Sequence, residues 1–184
     1  MKTEIEMTKE QHKFYSIPVR DKPDEPPVSL EEVTARRRSL RMTTESLIHD
    51  AFLGGDVVRL MEAVVETMSA TAGTCSQFGL EPDISDFLLA GKDLVEDARV
   101  LLDKGLTVRE WDQVKIGAAM IQCICGGVCA ILGLPYKDAM AMAHAKYLNA
   151  ERPTREDFAK LLTDAGFKLD EEVASNDPNP APAA

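Results

Sequence analysis

The chain has 184 residues, 45% of them hydrophobic and 28% charged, with a formal net charge of −10 and a pI of about 4.8. Such a length and apolar content suit one folded domain with its own core and exclude a wholly disordered chain. The acidic balance argues against a nucleic-acid binder, which needs a basic face to displace counterions from phosphates, but not against a nucleotide binder, because a divalent cation reverses the local field.

In chain order, Met1 to Lys13 is polar and charged and suits a short helix. Phe14 to Val28 carries Pro18, Pro23, Pro26 and Pro27, which remove backbone donors and forbid a helix. This segment reads as an extended arm docked through Phe14, Tyr15, Ile17 and Val19. Ser29 with Glu32 forms a capping-box pattern, and a helix is expected from there to about Leu53. Arg36, Arg37, Arg38 and Arg41 lie along it, as a solvated face with acidic partners or as phosphate contacts suited to arginine's planar fork.

Gly54-Gly55 ends that helix and Asp56 caps the next, Val57 to Phe78, which Gly79-Leu80-Glu81-Pro82 stops. A helix started by Asp83 or Ser85 is expected from Ile84 to Leu102, broken at Asp103-Lys104-Gly105, and Thr107 is expected to cap a further helix. Ile116 to Leu134 is the longest apolar run. It is rich in Gly, Ala and Cys, contains Gln122, and reads as a buried helix rather than a membrane span. Lys137 to Asn149 and Arg155 to Ala165 complete the helices, the latter capped by Thr154 and Asp157. Ser175 to Ala184 is disordered by composition. With no strand-type alternation anywhere, the fold class is all-α. Cys75, Cys123, Cys125 and Cys129 all fall in apolar helices, which together with the lack of a signal peptide points to a reducing cytoplasm.

Two stretches echo each other at a constant offset of 54 residues, Gly73 to Leu80 and Gly127 to Leu134. A duplicated core would give a bundle of paired helical hairpins from one chain. The corresponding division is an arm over 1–28, a core over 29–150 with halves near 29–82 and 83–150, a C-terminal helix within 151–172 and a tail over 173–184.

Glu62 and Glu66 stand one helical turn apart, where like charges repel. They read either as a solvated acidic face or as ligands of Mg²⁺, which prefers carboxylate oxygens. Glu45 and Asp50 on the preceding helix are the nearby acids that would complete such a site. His144 lies on a helix of small and apolar residues.

The segment Ser16-Ile17-Pro18-Val19-Arg20-Asp21-Lys22-Pro23 resembles the N-terminal arm of the all-α nucleoside-triphosphate pyrophosphohydrolases, the MazG-like and phosphoribosyl-ATP pyrophosphohydrolase-like group, in the compact form found in phages and bacteria. Arg37, Arg38, Leu40 and Arg41 resemble its arginine-rich helix start. Gly55-Asp56 followed by Glu62-Ala63-Val64-Val65-Glu66 resembles its second acidic motif, with both acids one methylene longer. Gly133-Leu134-Pro135, Met140 and His144 resemble its tail, where Lys146, Tyr147 and Ala150 depart from it. Its first acidic motif is replaced by Thr43-Thr44-Glu45-Ser46-Leu47.

The resemblance implies a MazG-like bundle, pairing as a homodimer, that binds a nucleotide or nucleotide-derived signal, in the host cytoplasm if viral. Mg²⁺ would be held by Glu62 and Glu66, also the catalytic pair, with Glu45 and Asp50. Arg37, Arg38, Arg41, His144 and Lys146 would contact the ligand. The departures imply weakened or lost pyrophosphohydrolase chemistry. An active Mg²⁺-dependent enzyme and a non-catalytic interaction module are the alternatives.

Overall fold

The computed structural model describes residues 2–23, 25–82 and 92–169, without the side chains of residues 50, 51 and 92. The expected helix start near Asp83 to Ser85 and the C-terminal tail lie outside the described residues. Within them the chain is all-helical. Its elements are α1 (Glu4–Phe14), α2 (Leu30–Ser46) running into a π-helical turn (Leu47–Phe52), α3 (Val57–Phe78), α4 (Lys92–Val108), α5 (Trp111–Leu132), α6 (Tyr136–Leu148) and α7 (Arg155–Asp164). The one β-type contact among them is an isolated bridge between Lys22 and Glu25.

The local signals explain most boundaries. Ser29 and Thr154 each close a capping box, with Glu32 and Asp157. Asp56 accepts from the backbone N–H groups of Val58 and Arg59, meeting two donors that the first turn of α3 leaves unpaired. At the other end Gly79 takes a left-handed conformation (φ 67°), and the N–H groups of Gly79 and Leu80 both reach the carbonyl of Cys75. Gly133 (φ 68°) ends α5 in the same way on the carbonyl of Cys129.

Helix α3 is the axis of the fold. Seventeen of its 22 residues are buried, so it is apolar or small almost all round, as a helix enclosed by others must be. It packs against α1, α2, the π turn, α5, α6 and α7. Phe78 at its end is fully buried and lies 5.7 Å from the Trp111 ring at the start of α5. The residues of α3 that stay accessible are Val57, Arg59, Glu62, Glu66 and Ser69, and the last four share one face.

Three expectations are corrected. The helix does not break at Gly105: α4 continues to Val108, because that glycine is where α5 crosses, and a Cβ there would sit 2.8 Å from Val114 Cγ2. Thr107 is inside α4, its hydroxyl bonded to the carbonyl of Asp103, and the turn falls at Arg109 (φ 58°). The arm after α1 docks through Arg20 (4% exposed) and Val28 (2%); of the four residues expected to dock it, Ile17 is half-buried, whereas Phe14, Tyr15 and Val19 are exposed. The apolar run in α5 is, as expected, mostly buried: the helix is long and apolar enough to cross a membrane, and 61% of its most apolar window lies inside the fold.

Arg20 carries the docking. Its backbone N–H donates to the carbonyl of Ser76 (3.2 Å) and its guanidinium to that of Gln77 (2.8 Å). Two carbonyls of the last turn of α3 are thereby satisfied, that of Gln77 by a cation, where the helix dipole favours one. The same guanidinium grips both oxygens of Glu32 (2.9 and 3.1 Å) and the carbonyls of Pro26 and Pro27. Burial of a paired guanidinium makes removal of one partner costly, so Arg20→Met is expected to lower unfolding free energy by about 3–5 kcal/mol in urea titrations.

The two capping glycines give a sharper comparison. Beyond the left-handed strain of about 1 kcal/mol common to both, Gly79→Ala would press its Cβ to 2.5 Å from the Lys22 backbone, while a Cβ added at Gly133 would meet nothing within 4 Å. Urea melts should show Gly133→Ala costing about 1 kcal/mol and Gly79→Ala at least twice that.

Candidate functional site

The accessible stripe of α3 floors a cleft of about 740 Å³. Arg59, Glu62, Glu66 and Ser69 point into it from the floor. Arg36, Ser39 and Thr43 line it from α2, at helical spacing on one face. Thr8, His12 and Tyr15 close it from α1 and the start of the arm, and Tyr147, Arg152 and Arg155 from the far side. The antiparallel α2–α3 hairpin builds this wall and floor. Thr67 Oγ1 donates to the Thr43 carbonyl (3.1 Å) between them.

Other contacts set the remaining walls. Tyr136 reaches Glu4 (3.0 Å), His144 meets Glu10 (3.0 Å) and the Tyr15 hydroxyl donates to the carbonyl of Tyr147 (2.7 Å), so α1 and its C-terminal end are laced to α6. The Arg155 guanidinium donates to Asp56 Oδ2 (2.5 Å), which pins the first turn of α7 to the start of α3. Lys146 pairs with Asp157, fixing α7 to α6.

The electrostatics of the floor follow from enclosure. Burial pushes the Glu62 carboxyl up to about 6, against the pull of Arg155 and Arg59, with Glu66 adding to the rise. Glu66 is exposed to the open cleft, yet the surrounding protein raises its carboxyl too, offset by Arg152. Neither carboxylate accepts a hydrogen bond from a described residue.

At the α1 end the chemistry is different. Arg36 donates from Nε to Gln77 Oε1 and from Nη2 to His12 Nε2 (2.8 Å). Because a guanidinium only donates, His12 accepts at Nε2 and carries its proton on Nδ1, facing the Ser76 hydroxyl at 3.4 Å. Burial, and then Arg36 itself, hold the imidazole down near 4, so it is neutral at physiological pH. Gly73 makes room for this pair, since a Cβ there would lie 2.8 Å from Arg36 Nη1 and 3.3 Å from His12 Nε2.

Of the residues expected from sequence, Glu62, Glu66 and Arg36, one of the four α2 arginines read as possible phosphate contacts, lie in this cleft. Arg37 pairs with Asp103 (2.6 and 3.0 Å), and Arg41 pairs with Glu45 (2.8 Å). Arg38 lines a separate shallow groove on α2 with Leu30 and Met42. His144 and Lys146 hold helices together, as above. The side chain of Asp50 lies outside the described residues. Among the described residues no three His, Cys, Asp or Glu side chains come together to hold a metal. The four cysteines are buried and form no disulfide, and burial pushes the Cys75 thiol up to about 12.

His12, Arg59, Arg152 and Arg155 are the charged or titratable cleft residues that sequence reasoning did not select. For Arg59 the signal was present, as the start of the polar stripe Arg59, Glu62, Glu66, Ser69 through an otherwise apolar helix. Arg152 and Arg155 reach the cleft only through the packing of α7, which no local pattern announces.

Comparison of the chain with family models, with curated proteins and with solved structures returned no significant match.

Because the folded chain holds a proton on Glu62 where the unfolded chain has lost it, this group stabilises most below the ordinary carboxylate range, and that stability is lost as pH rises through about 6. Glu62→Gln should therefore raise unfolding free energy at pH 7.5 by about 1–2 kcal/mol and flatten the dependence between pH 4.5 and 6.5, read from urea melts across that range.

Proposed function

We propose that the cleft binds a nucleotide or nucleotide-derived phosphate compound, on a MazG-like helical bundle whose pyrophosphohydrolase chemistry is weakened or lost. The observation that supports this most directly is the composition of the cleft in a chain of net charge −10. Arg36, Arg59, Arg152 and Arg155 converge on one concavity of about 740 Å³, within the usual size range of small-molecule sites. Arginine suits phosphate because its planar fork offers paired donors. Tyr15 and Tyr147 line the same cleft and offer ring faces to a planar base.

The bundle reading has support of its own. Helices α3 and α5 each span 22 residues, end 54 positions apart and carry matching glycine caps, as two copies of one hairpin would. The expected homodimer is part of the same reading and is checked by sedimentation.

An active Mg²⁺-dependent pyrophosphohydrolase is the second reading. It is favoured by Glu62 and Glu66 facing the cleft without hydrogen-bond partners among the described residues. Two carboxylates fit a Mg²⁺ ion that keeps phosphate oxygens and water in its other positions; they do not fit a cage built from this chain alone. Such an ion would neutralise developing phosphate charge. Glu62 and Glu66 would orient it, and Arg59, Arg152 and Arg155 would steady the phosphates.

A panel of nucleoside mono-, di- and triphosphates, with and without Mg²⁺ or Mn²⁺, separates these. Binding to the native state should raise the thermal midpoint with at least one nucleotide, with little or no pyrophosphate released. Arg59→Gln with Arg152→Gln should weaken that binding at least tenfold. Sustained pyrophosphate release, lost in Glu62→Gln with Glu66→Gln, would favour the second reading. No midpoint change with any nucleotide would overturn both.

A further inference from the structure

The four cleft arginines are not equivalent. Arg59 and Arg155 act on Glu62, Arg155 also pairs with Asp56, and Arg152 acts on Glu66. Each therefore has an anionic counterpart on the floor or rim. Arg36 has none there. Its hydrogen bonds go to a neutral imidazole and a neutral amide, and the carboxylate that acts on it from behind, Glu32, is already gripped through both oxygens by Arg20.

The chain of contacts Arg20, Glu32, Gln77, Arg36, His12 and Ser76 thus holds two guanidiniums and one carboxylate. One positive charge is left over, and it sits on the cleft wall. Half-burial of an uncompensated cation is costly, and burial pulls the Arg36 guanidinium down to about 10. The surroundings nevertheless hold it in place. Gln77 and His12 present acceptors that fix its plane, His12 stays neutral and so does not repel it as strongly, and Gly73 clears the space beside Nη1. Those two bonds engage two of the guanidinium's five N–H groups, and the Ser39 and Thr43 hydroxyls lie along the same wall.

We propose that Arg36, held by neutral His12 and Gln77, is the anchor for a phosphate group of the ligand, and that this anchoring needs no divalent cation. The inference rests on the phosphate-ligand reading above and adds a position and a mode to it. Gly73, beside Arg36, lies fourteen residues along α3 from the Arg59 backbone and eleven from that of Glu62, roughly 20 and 16 Å of helix axis at 1.5 Å per residue. The Arg36 subsite is accordingly separate from the Glu62 end, where a cation-dependent site would lie. The ligand's negative charge replaces the missing counter-charge of Arg36, so the affinity draws on a bidentate, charge-assisted contact.

The test is a titration of the full chain with inorganic pyrophosphate in EDTA, followed by thermal shift and calorimetry, with sulfate at matched ionic strength alongside. Wild type should show a raised midpoint with pyrophosphate and little change with sulfate. Arg36→Met and Arg36→Lys should each lose at least tenfold in affinity, the lysine because it cannot offer the fork. Arg38→Met, on the separate groove of α2, should bind as wild type does. Gly73→Ala keeps the charge but displaces the guanidinium, and should weaken binding as well.

Should the Arg36 variants fail to fold, mapping of phenylglyoxal modification on wild type replaces them, and pyrophosphate in EDTA should slow modification at Arg36. Pyrophosphate or nucleotide binding that appears only with Mg²⁺, that survives in Arg36→Met, or that sulfate reproduces would overturn the anchor and leave the nucleotide reading standing. Absence of binding by pyrophosphate and by every nucleotide, with or without Mg²⁺, would overturn both.

Discussion

The structure depends on how the C-terminal turn of α3 is satisfied. That turn is buried, and its last carbonyls cannot be left to water. Cys75 is met by the glycine cap, while Ser76 and Gln77 are met by Arg20, which the proline-rich arm brings across the helix end. The close passage requires Gly79, whose missing Cβ would collide with the Lys22 backbone. Glu32, at the start of α2, completes the guanidinium's pairing. One cation therefore ties the arm, α2 and α3 together, and the α2–α3 hairpin so positioned is the frame of the cleft.

The same network sets the polarity of the cleft. Glu32 is held well below the ordinary carboxylate range, to about 2, chiefly by Arg20, so it stays ionised under any ordinary condition. It is shared, however, and its charge cannot fully serve two arginines. Arg36 is stabilised instead by dipoles, through Gln77 and a histidine held neutral by burial. At the other end, Glu62 and Glu66 are desolvated among arginines that offset their charge. The cleft is thus two electrostatic environments in one concavity, a carboxylate floor balanced by Arg59, Arg152 and Arg155, and a guanidinium wall whose acid, Glu32, lies behind it and is shared with Arg20. The proposed ligand, with separated phosphate and ring portions, answers that division.

Stability and site chemistry pull against each other here. The chain keeps four polar side chains on the accessible face of its most buried helix, and Glu62 is destabilised in its charged form as a result. Enclosure of that kind is how a cleft raises the strength of whatever charge interactions it makes, because the protein around it polarises less than water.

How much was legible depends on whether a feature is local in the chain. The α3 boundaries were readable from Asp56 and Gly79 because caps act on backbone groups a few residues away, and so were the capping boxes at Ser29 and Thr154. The all-α class followed from periodicity. Glu62 and Glu66 were readable as a pair because helical spacing puts them on one face. Gly105 misled, since a glycine that breaks a helix and one that admits a neighbour look alike until the neighbour, Val114, is seen.

The arginines of α2 show the limit most clearly. Sequence placed Arg36, Arg37, Arg38 and Arg41 on one helix, but helix rotation relative to its neighbours decides their fates. Arg37 turns to Asp103 on α4, Arg41 to Glu45 on its own helix, Arg38 to an open groove and Arg36 to the cleft. Local sequence was enough for the all-α class, for the caps at Ser29, Asp56, Gly79, Gly133 and Thr154 and for the acidic pair, because those rest on contacts within a turn or two. Only the tertiary structure decided which charges are compensated, because the counter-charge of an arginine lies wherever packing brings a distant carboxylate, and for Arg36 packing brought none to the cleft.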